Sequence, residues 1–290
     1  MVTVEPIRYR SSAEDSGRWV GFPFRDGDIV ISTRSKHGTT WVQMLCALLV
    51  FRTADLPAPL SELSPWLDWL GAPRDEVVAQ LDGQDHRRFI KTHTPLDGLP
   101  IDPRPTYVVV ARHPLDAAVS LYHQGANLDR ARIAELTGNL EVHPPRPPLA
   151  QWLAEWVDAD PSPQDELDGL PGVLHHLTDA WDRRDEPNVV LVHYDDLVAD
   201  LAGEMTHLAV VLELPSPTPD MVAAARFDAM RDRADDRAPD AGGVLLDRQA
   251  FFRQGGSSRG DLSPDLIARY DARAAALAPP DLLTWLHRPA

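Results

Sequence analysis

Four short runs rich in β-branched and apolar residues divide the chain, and each of them leads into a polar turn. The runs cover Ile29–Ile31, Arg88–Thr92, Thr106–Ala111 and Asn188–Tyr194. Short continuous apolar runs of this kind are typical of strands buried on both faces of a parallel sheet. The pattern therefore predicts four buried parallel strands.

Apolar residues recur at helical spacing between and after these runs. Helices are predicted at residues 39–51, 74–81, 115–123, 149–157, 173–184 and 195–212. Strands that alternate with helices favour an α/β fold in which a parallel sheet carries helices on both faces. A length of 290 residues suits one such domain, and we expect a single domain over residues 1–290.

Three segments lack this regularity. Residues 1–27 are expected to form a loosely ordered lead-in. Residues 56–73 combine proline with Trp66 and Trp69 and are expected to form a loop with a short helix. Residues 125–148 are rich in proline near their end, and we predict a long loop or lid that borders a substrate, since loops of this length tend to be functional.

The charge balance is strongly acidic. The chain has 28 basic and 44 acidic residues and a net charge of −16, which argues against nucleic acid or an anionic membrane as the main partner. Cys46 is the only cysteine, so there is no disulfide framework or cysteine metal site. With no signal-peptide pattern and no transmembrane-length run, a cytoplasmic protein is expected. The sequence predicts no oligomeric state.

The stretch Ile29–Phe51 combines a strand, a tight polar turn and an apolar helix without a spacer. The first amides of such a helix lack partners and attract a phosphate-like anion. Lys36 adds a positive charge, and Gly38 lets the backbone approach the ligand. The P-loop pattern G-x-x-x-x-G-K-S/T is not met, because Lys36 does not directly precede the threonines. The segment predicts a nucleotide-type ligand, with an ordinary strand-to-helix turn as the alternative.

Each strand is followed by a residue that can carry chemistry, namely Lys36, His93, Arg112 and Tyr194. In a parallel sheet these four positions meet at one edge. A neutral imidazole at His93 can accept a proton near pH 7, although a histidine can also merely cap a strand end. Arg112 offers a rigid fork for a phosphate, or an ion pair with Asp116.

These segments resemble those of the sulfotransferases that use 3′-phosphoadenylyl sulfate (PAPS). Thr33–Trp41 resembles the phosphosulfate loop T-Y-P-K-S-G-T-T-W, from which Arg34, Ser35 and His37 depart. Lys91–Pro95 resembles the segment K-T-H-x-P, which carries the catalytic histidine. The resemblance implies a P-loop-NTPase-like fold and a cytosolic-type, bacterial enzyme.

Further patches of the family follow in the same order. Arg112–Ser120 resembles the 3′-phosphate element R-N-P-x-D-x-x-V-S, and Tyr194–Leu197 resembles a turn whose tyrosine contacts adenine. Phe227 resembles a phenylalanine that packs on the same base. Phe251–Gly255 resembles F-x-R-K-G, with Gln254 in place of the lysine. Arg259 is expected to restore the missing charge.

The resemblance implies transfer of a sulfuryl group from PAPS to an acceptor hydroxyl, with release of adenosine 3′,5′-bisphosphate (PAP). His93 would be the base, Lys36 and Lys91 would steady the bridging oxygen, and Ser120 would hold Lys36 back until the acceptor arrives. No metal is implied. The residues expected to bind the donor are Lys36, His37, Gly38, Thr39, Thr40, Trp41, Arg112, Ser120, Tyr194, Phe227, Phe252, Arg253, Gln254 and Gly255.

Two other functions stay open. An ATP-dependent small-molecule kinase would need Mg²⁺, and a non-catalytic nucleotide-binding module would bind PAP without sulfating an acceptor. The acceptor is expected between residues 57–69, 125–148 and 245–251, whose tryptophans, leucines and prolines favour an apolar molecule. A phenol, a steroid-like alcohol, a polyketide or a glycolipid hydroxyl is compatible with these segments.

Overall fold

The computed structural model describes residues 5–139, 145–253 and 255–288. A four-stranded sheet lies at its centre, with the strand order β2-β1-β3-β4 and all pairs parallel. The strands are β1 Ile29–Ser32, β2 Phe89–Thr92, β3 Thr106–Ala111 and β4 Val189–His193. All four predicted strands are confirmed, and so is the α/β class.

Helices cover both faces of the sheet. In the described residues they are α1 Thr39–Phe51, α2 Leu60–Leu63, α3 Arg74–Asp82, α4 Pro114–Ala126, α5 Arg130–Thr137, α6 Leu149–Asp158, α7 Leu170–Asp182, α8 Tyr194–Ala199, α9 Leu201–Val211, α10 Pro219–Ala224, α11 Phe227–Asp232, α12 Ala234–Arg237, α13 Arg248–Phe251, α14 Pro264–Leu277 and α15 Pro280–Leu286. Five of the six helices predicted from apolar spacing are present within a few residues of their expected ends. No helix in the described ranges is both long and apolar enough to cross a membrane.

Alternate strand residues pack on opposite layers. Ile29 and Ile31 belong to the core that contains α1, while Val30 belongs to the core that contains Trp19. All three side chains are fully buried. This burial on both faces explains why the strands have no polar alternation in the sequence.

Two predicted segments differ from the structure. The helix expected over residues 195–212 is split at Asp200, whose carboxylate accepts a hydrogen bond of 2.9 Å from the amide of Gly203 and caps α9. The expected loop at 125–148 contains α5, which Asp129 caps by accepting from the amide of Arg132. Residues 140–144 of that segment lie outside the described ranges.

The expected loosely ordered lead-in is wrong for the residues that precede β1. Trp19, Phe22 and Phe24 are buried, and their rings contact one another at centroid distances of 5.1–5.9 Å. This aromatic group covers one face of the sheet and belongs to the same core as Val30 of β1. A segment without helical or strand periodicity therefore contributes to the core through its aromatic residues.

A cluster of polar side chains joins the segment before β1 to the rest of the fold. The hydroxyl of Tyr9 lies 3.0 Å from each carboxylate oxygen of Asp97, and Nε2 of His175 on α7 lies 3.0 Å from the same carboxylate. The hydrogen bond to Asp97 raises the pKa of His175 above its ordinary value. The protonated imidazole is therefore the form that this cluster stabilises.

We expect His175→Ala to lower the free energy of unfolding by about 0.5–1.5 kcal/mol, the range of a typical intramolecular hydrogen bond. Because the pKa of His175 is higher in the folded state, its contribution is fully present below the pKa of the unfolded chain and is lost as pH rises through the folded pKa. Urea unfolding at about pH 5.5 and about pH 8 measures this difference. An equal loss at both pH values would contradict the assignment.

Candidate functional site

A cavity of about 330 Å³ opens at the carboxyl ends of the four strands. It lies where the strand order reverses around β1, the position at which open α/β sheets bind ligands. Most residues predicted for the site line this cavity: Lys36, Gly38, Thr39, Thr40, Trp41, Lys91, His93, Arg112, Ser120, Tyr194, Phe227 and Phe252.

Of the other four predicted residues, three do not line it and one is not described. His37 is fully buried, and its Nδ1 lies 3.1 Å from the carbonyl of Ser35, so its imidazole does not replace a hydroxyl that faces the ligand. Burial lowers the pKa of His37 to about 4, which makes the ring neutral. Arg253 and Gly255 lie beside the lining residues, and Gln254 falls outside the described ranges.

The turn after β1 presents backbone to the cavity. Gly38 is the N-cap residue of α1. It has a φ of 110° and gives no side-chain cap to the helix amides. Lys36 also has a positive φ, of 66°. A Cβ atom at residue 38 would lie 3.0 Å from the ring of Tyr194. Both the backbone angle and the ring contact therefore require glycine at this position. The uncapped amides and the positive end of the helix dipole at the start of α1 favour an anion.

Arg112 closes one side of this turn. Its guanidinium donates to the carbonyl of Lys36 at 3.3 Å and to that of Gly256 at 3.1 Å, and it lies 4.3 Å from the ring centroid of Tyr194. Asp116 pairs instead with Arg259, at 3.0 Å. The ion pair between Arg112 and Asp116 is therefore absent from the structure.

Arg259, which was expected to supply a replacement charge, pairs with carboxylates in the structure. It also contacts Asp195 at 3.4 Å, so two carboxylates neutralise it, and it does not line the cavity. Arg253, by contrast, is close enough to Lys36 to lower the pKa of that lysine. The structure therefore assigns the extra positive charge near the turn to Arg253.

Aromatic rings form a wall of the cavity beside the turn. Trp41 and Tyr194 meet edge to face at 5.3 Å, and Phe227 and Phe252 do so at 6.0 Å. A Cβ atom at residue 255 would lie 3.0 Å from the ring of Phe227, so the chain passes this ring closely at Gly255. Such rings provide flat apolar surface on which a purine base can stack.

His93 has the geometry of a proton acceptor. Its Nδ1 contacts the carbonyl of Thr33, and because a carbonyl only accepts, Nδ1 carries the proton and Nε2 carries the lone pair. Burial, assisted by the positive charge of Lys91, holds the pKa of His93 well below 6.5. The imidazole is therefore neutral near pH 7, and no described residue is hydrogen-bonded to its Nε2.

Two lysines line the same cavity as the histidine. The ammonium of Lys91 is 3.6 Å from the ring centroid of Trp66, which meets His93 edge to face at 4.8 Å. The ammonium of Lys36 is 3.3 Å from Oε1 of Gln124 and 3.8 Å from the ring centroid of Phe251. The contact expected between Ser120 and Lys36 is replaced by one from Gln124, one helical turn further along α4.

The chain contains only these two lysines, and both face the cavity. Burial, followed by the charge of Arg112, lowers the pKa of Lys36 to about 7. Burial also lowers the pKa of Lys91 to about 8, against the opposing charge of Glu14. Burial therefore disfavours the charged form of both lysines, with neighbouring cations adding to the effect at Lys36, and a bound polyanion would favour the charged forms.

Reductive methylation with ¹³C-formaldehyde should therefore give one resolvable lysine signal that titrates near pH 7 and another near pH 8. Saturation with PAP should raise both pKa values, because an anion favours the charged ammonium. For the same reason the affinity for PAP should fall as pH rises above about 7. Two lysines that titrate near 10.5 in the free protein would refute this description of the site.

Among the cavity residues that sequence reasoning missed, three carry polar side chains that bear on the site, namely Glu14, Gln124 and Asp168. Glu14 comes from the segment before β1, and its backbone forms a bridge with Trp69. Asp168 accepts a hydrogen bond of 2.6 Å from Arg34, whose guanidinium also contacts the carbonyl of His93. Gln124 follows the recognisable motif of α4. None of the three carries a local signal, since each reaches the cavity through a contact between distant segments.

Metal-binding side chains are not clustered in the part of the chain that the structure describes. Among those residues no group of three or more histidine, cysteine, aspartate or glutamate side chains is arranged to hold an ion. His175 and His176, which are adjacent in sequence, contact Asp97 and Ser32 respectively.

Comparisons with known proteins agree with this geometry. Residues 26–275 match the family model described as a sulfotransferase domain. A glycolipid sulfotransferase of Mycobacterium tuberculosis is 45% identical over an alignment that covers 97% of this chain and 94% of that protein. The luciferin sulfotransferase of Photinus pyralis is 26% identical over 86% of this chain and 71% of its own length.

Solved structures show the same fold. Retinol dehydratase, in complex with androsterone and the inactive cofactor PAP, superimposes with a TM-score of 0.65 at 19% identity, covering 95% of this chain and 86% of its own. Mouse sulfotransferase SULT7A1, complexed with PAP, gives 0.63 at 19% identity over 94% and 88%. This likeness confirms the P-loop-NTPase-like α/β fold, and the match of the family model over most of the chain shows that the protein belongs to the sulfotransferase domain family.

Proposed function

We propose that this sulfotransferase moves a sulfuryl group from PAPS to a hydroxyl of a glycolipid or another apolar hydroxyl compound, with His93 as the general base. One observation carries the proposal: a neutral imidazole with its Nε2 lone pair free lies beside Lys91 and close to the turn that carries Lys36. A base, two cations and uncapped helix amides together suit the transfer of an anionic group to a hydroxyl.

The residues present fit PAPS as the donor. The amides at the start of α1 and the ammonium of Lys36 can hold the 5′ phosphosulfate end. Arg112, Ser120 and Arg253 can hold the 3′-phosphate, and the aromatic wall can take adenine. Two structural neighbours, which share only the fold at 19% identity, carry PAP, and this supports the choice of donor.

The reaction moves one proton and one sulfuryl group. Nε2 of His93 takes the proton of the acceptor hydroxyl as the acceptor oxygen forms a bond to sulfur. The bond from sulfur to the 5′-phosphate oxygen breaks, and that oxygen keeps the electron pair and becomes part of PAP. Lys36 and the α1 amides neutralise the charge that grows there, while Lys91 orients the bridge from the other side.

The acceptor proposal draws on the apolar lining of the cavity and on the relatives. Leu121, Leu128, Ile133 and Leu245 give the cavity apolar surface. A protein 45% identical over nearly the whole chain is named a glycolipid sulfotransferase, which supports an acceptor of that class. We also propose one domain and a cytoplasmic location, with which the single buried Cys46 is consistent.

Incubation with PAPS that carries labelled sulfate and with a lipid extract of the source organism tests this function. We expect label in a lipid whose mass has increased by one SO₃ group, and PAP in equal amount. Binding of PAP with no labelled acceptor in any fraction would favour a non-catalytic module. Transfer of label from ATP that strictly requires Mg²⁺ would favour a kinase.

A further inference from the structure

Several residues that line the cavity are not among those expected to bind the donor. Leu121, Leu128, Ile133 and Leu245 are apolar members of this set, and Glu14 and Asp168 are its acidic members. These residues define the acceptor compartment. A purely apolar acceptor would contact the first set and would leave the carboxylate of Glu14 and the second oxygen of Asp168 without a hydrogen bond. The lining therefore suits a molecule with an apolar part and a polar part.

Two tryptophans provide a rigid surface next to the histidine. The rings of Trp66 and Trp69 are nearly parallel, with an angle of 13° and centroids 6.0 Å apart, and both line the cavity. Trp66 meets the ring of His93 at 4.8 Å. A Cβ atom at residue 71 would lie 2.3 Å from the ring of Trp69, so Gly71 is needed for this ring position. Aromatic surfaces of this kind pack well against the C–H face of a sugar ring.

The carboxylate of Glu14 lacks a hydrogen-bond partner among the described residues. Burial raises its pKa to about 7, and the charges of Asp68 and Asp168 contribute to the shift, against the opposing charges of Arg34 and Lys91. Asp168 uses only one carboxylate oxygen, which accepts from Arg34 at 2.6 Å. A half-buried carboxylate that loses its water to a bound ligand without gaining a hydrogen bond costs free energy, whereas hydroxyl groups that donate to it remove this cost.

We propose that this compartment binds the sugar of an amphiphilic acceptor between the Trp66–Trp69 pair and the carboxylates of Glu14 and Asp168. One sugar hydroxyl then lies at Nε2 of His93, and the lipid chain follows the apolar side of the cavity. This inference rests on the proposed function. Of the acceptors named there it selects the glycolipid, and it names the residues that would hold the sugar.

A matched pair of probes tests the sugar site without relying on catalysis. Octyl β-glucoside and 1-octanol share the alkyl chain and differ in the sugar, and their binding to the PAP-saturated protein can be followed by tryptophan fluorescence. We expect the glucoside to bind at least about tenfold more tightly. Glu14→Leu should weaken glucoside binding about tenfold more than octanol binding, as expected for loss of a hydrogen bond to a charged group. Glu155→Leu, at an exposed position on α6, is the control.

Equal affinities for the two probes, or an equal loss for both in Glu14→Leu, would overturn the sugar site. Unchanged PAP affinity shows that the variant is folded. The two proposals fail in different ways: a glucoside that binds through Glu14 but is never sulfated refutes the proposed transfer and leaves the sugar site intact. Sulfation of 2-naphthol and octanol with the same kcat/KM as the glucoside, insensitive to Glu14→Leu, supports the transfer and refutes the sugar site.

Discussion

Replacement of His93 by alanine is expected to lower kcat by about 10²–10⁴-fold, which is the usual contribution of a general base. The structure gives the reason: Nδ1 is bonded to the carbonyl of Thr33, so that Nε2 keeps a lone pair towards the cavity. The affinity for PAP should change little, because the predicted phosphate contacts come from other residues. Single-turnover transfer and calorimetric titration with PAP measure the two quantities separately.

His207→Ala is the matched control, since His207 is exposed on α9 and does not line the cavity. The pH dependence gives a second readout. Because the pKa of His93 lies well below 6.5, the free enzyme should keep the basic form of His93 as pH falls through 6.5. Near-normal turnover in His93→Ala would remove the base assignment, and a thousandfold loss of PAP affinity would assign the residue to the donor site instead.

Replacement of Lys36 by methionine is expected to lower kcat by about 10²–10³-fold, as for the loss of one group that stabilises developing charge. Methionine keeps an unbranched side chain of similar length in contact with Phe251 and removes only the ammonium. Affinity for PAP should fall as well, by about 1–3 kcal/mol for one charge-assisted contact. Initial rates at saturating PAPS, together with PAP titrations, separate the two effects.

The control for charge is Arg269→Met, which removes a cation from the exposed side of α14. A second comparison is Gln124→Ala, because Gln124 is the residue that contacts the ammonium of Lys36. If Lys36→Met turned over PAPS as fast as the unchanged enzyme, charge neutralisation at the phosphosulfate bridge would come from other groups.

The sequence predicts the part of the fold in which local pattern and packing agree. Thr106–Ala111 is a strand with the predicted ends, and the turn that carries Lys36 leads directly into α1 as expected. A strand buried on both faces needs a continuous apolar run, and its carboxyl end fixes where the next polar residue lies. The sequence alone therefore predicts that the four polar motifs lie at one edge of the sheet.

The remaining features depend on contacts between distant segments. Glu14 reaches the cavity because the chain before β1 forms a bridge with Trp69. His37 follows a loop motif, yet it turns into the protein interior and bonds with the carbonyl of Ser35. Gln124 takes the contact that was expected from Ser120 because the lysine side chain reaches one turn further along α4. No pattern of neighbouring residues encodes these three outcomes.

A crystal structure of the protein with PAP tests the central claim most directly. The account predicts the 5′-phosphate at the amino end of α1 beside Lys36 and the 3′-phosphate at Arg112, with Nε2 of His93 facing the gap next to the 5′-phosphate. PAP bound at another surface, or with its 5′-phosphate turned away from His93, would contradict the account.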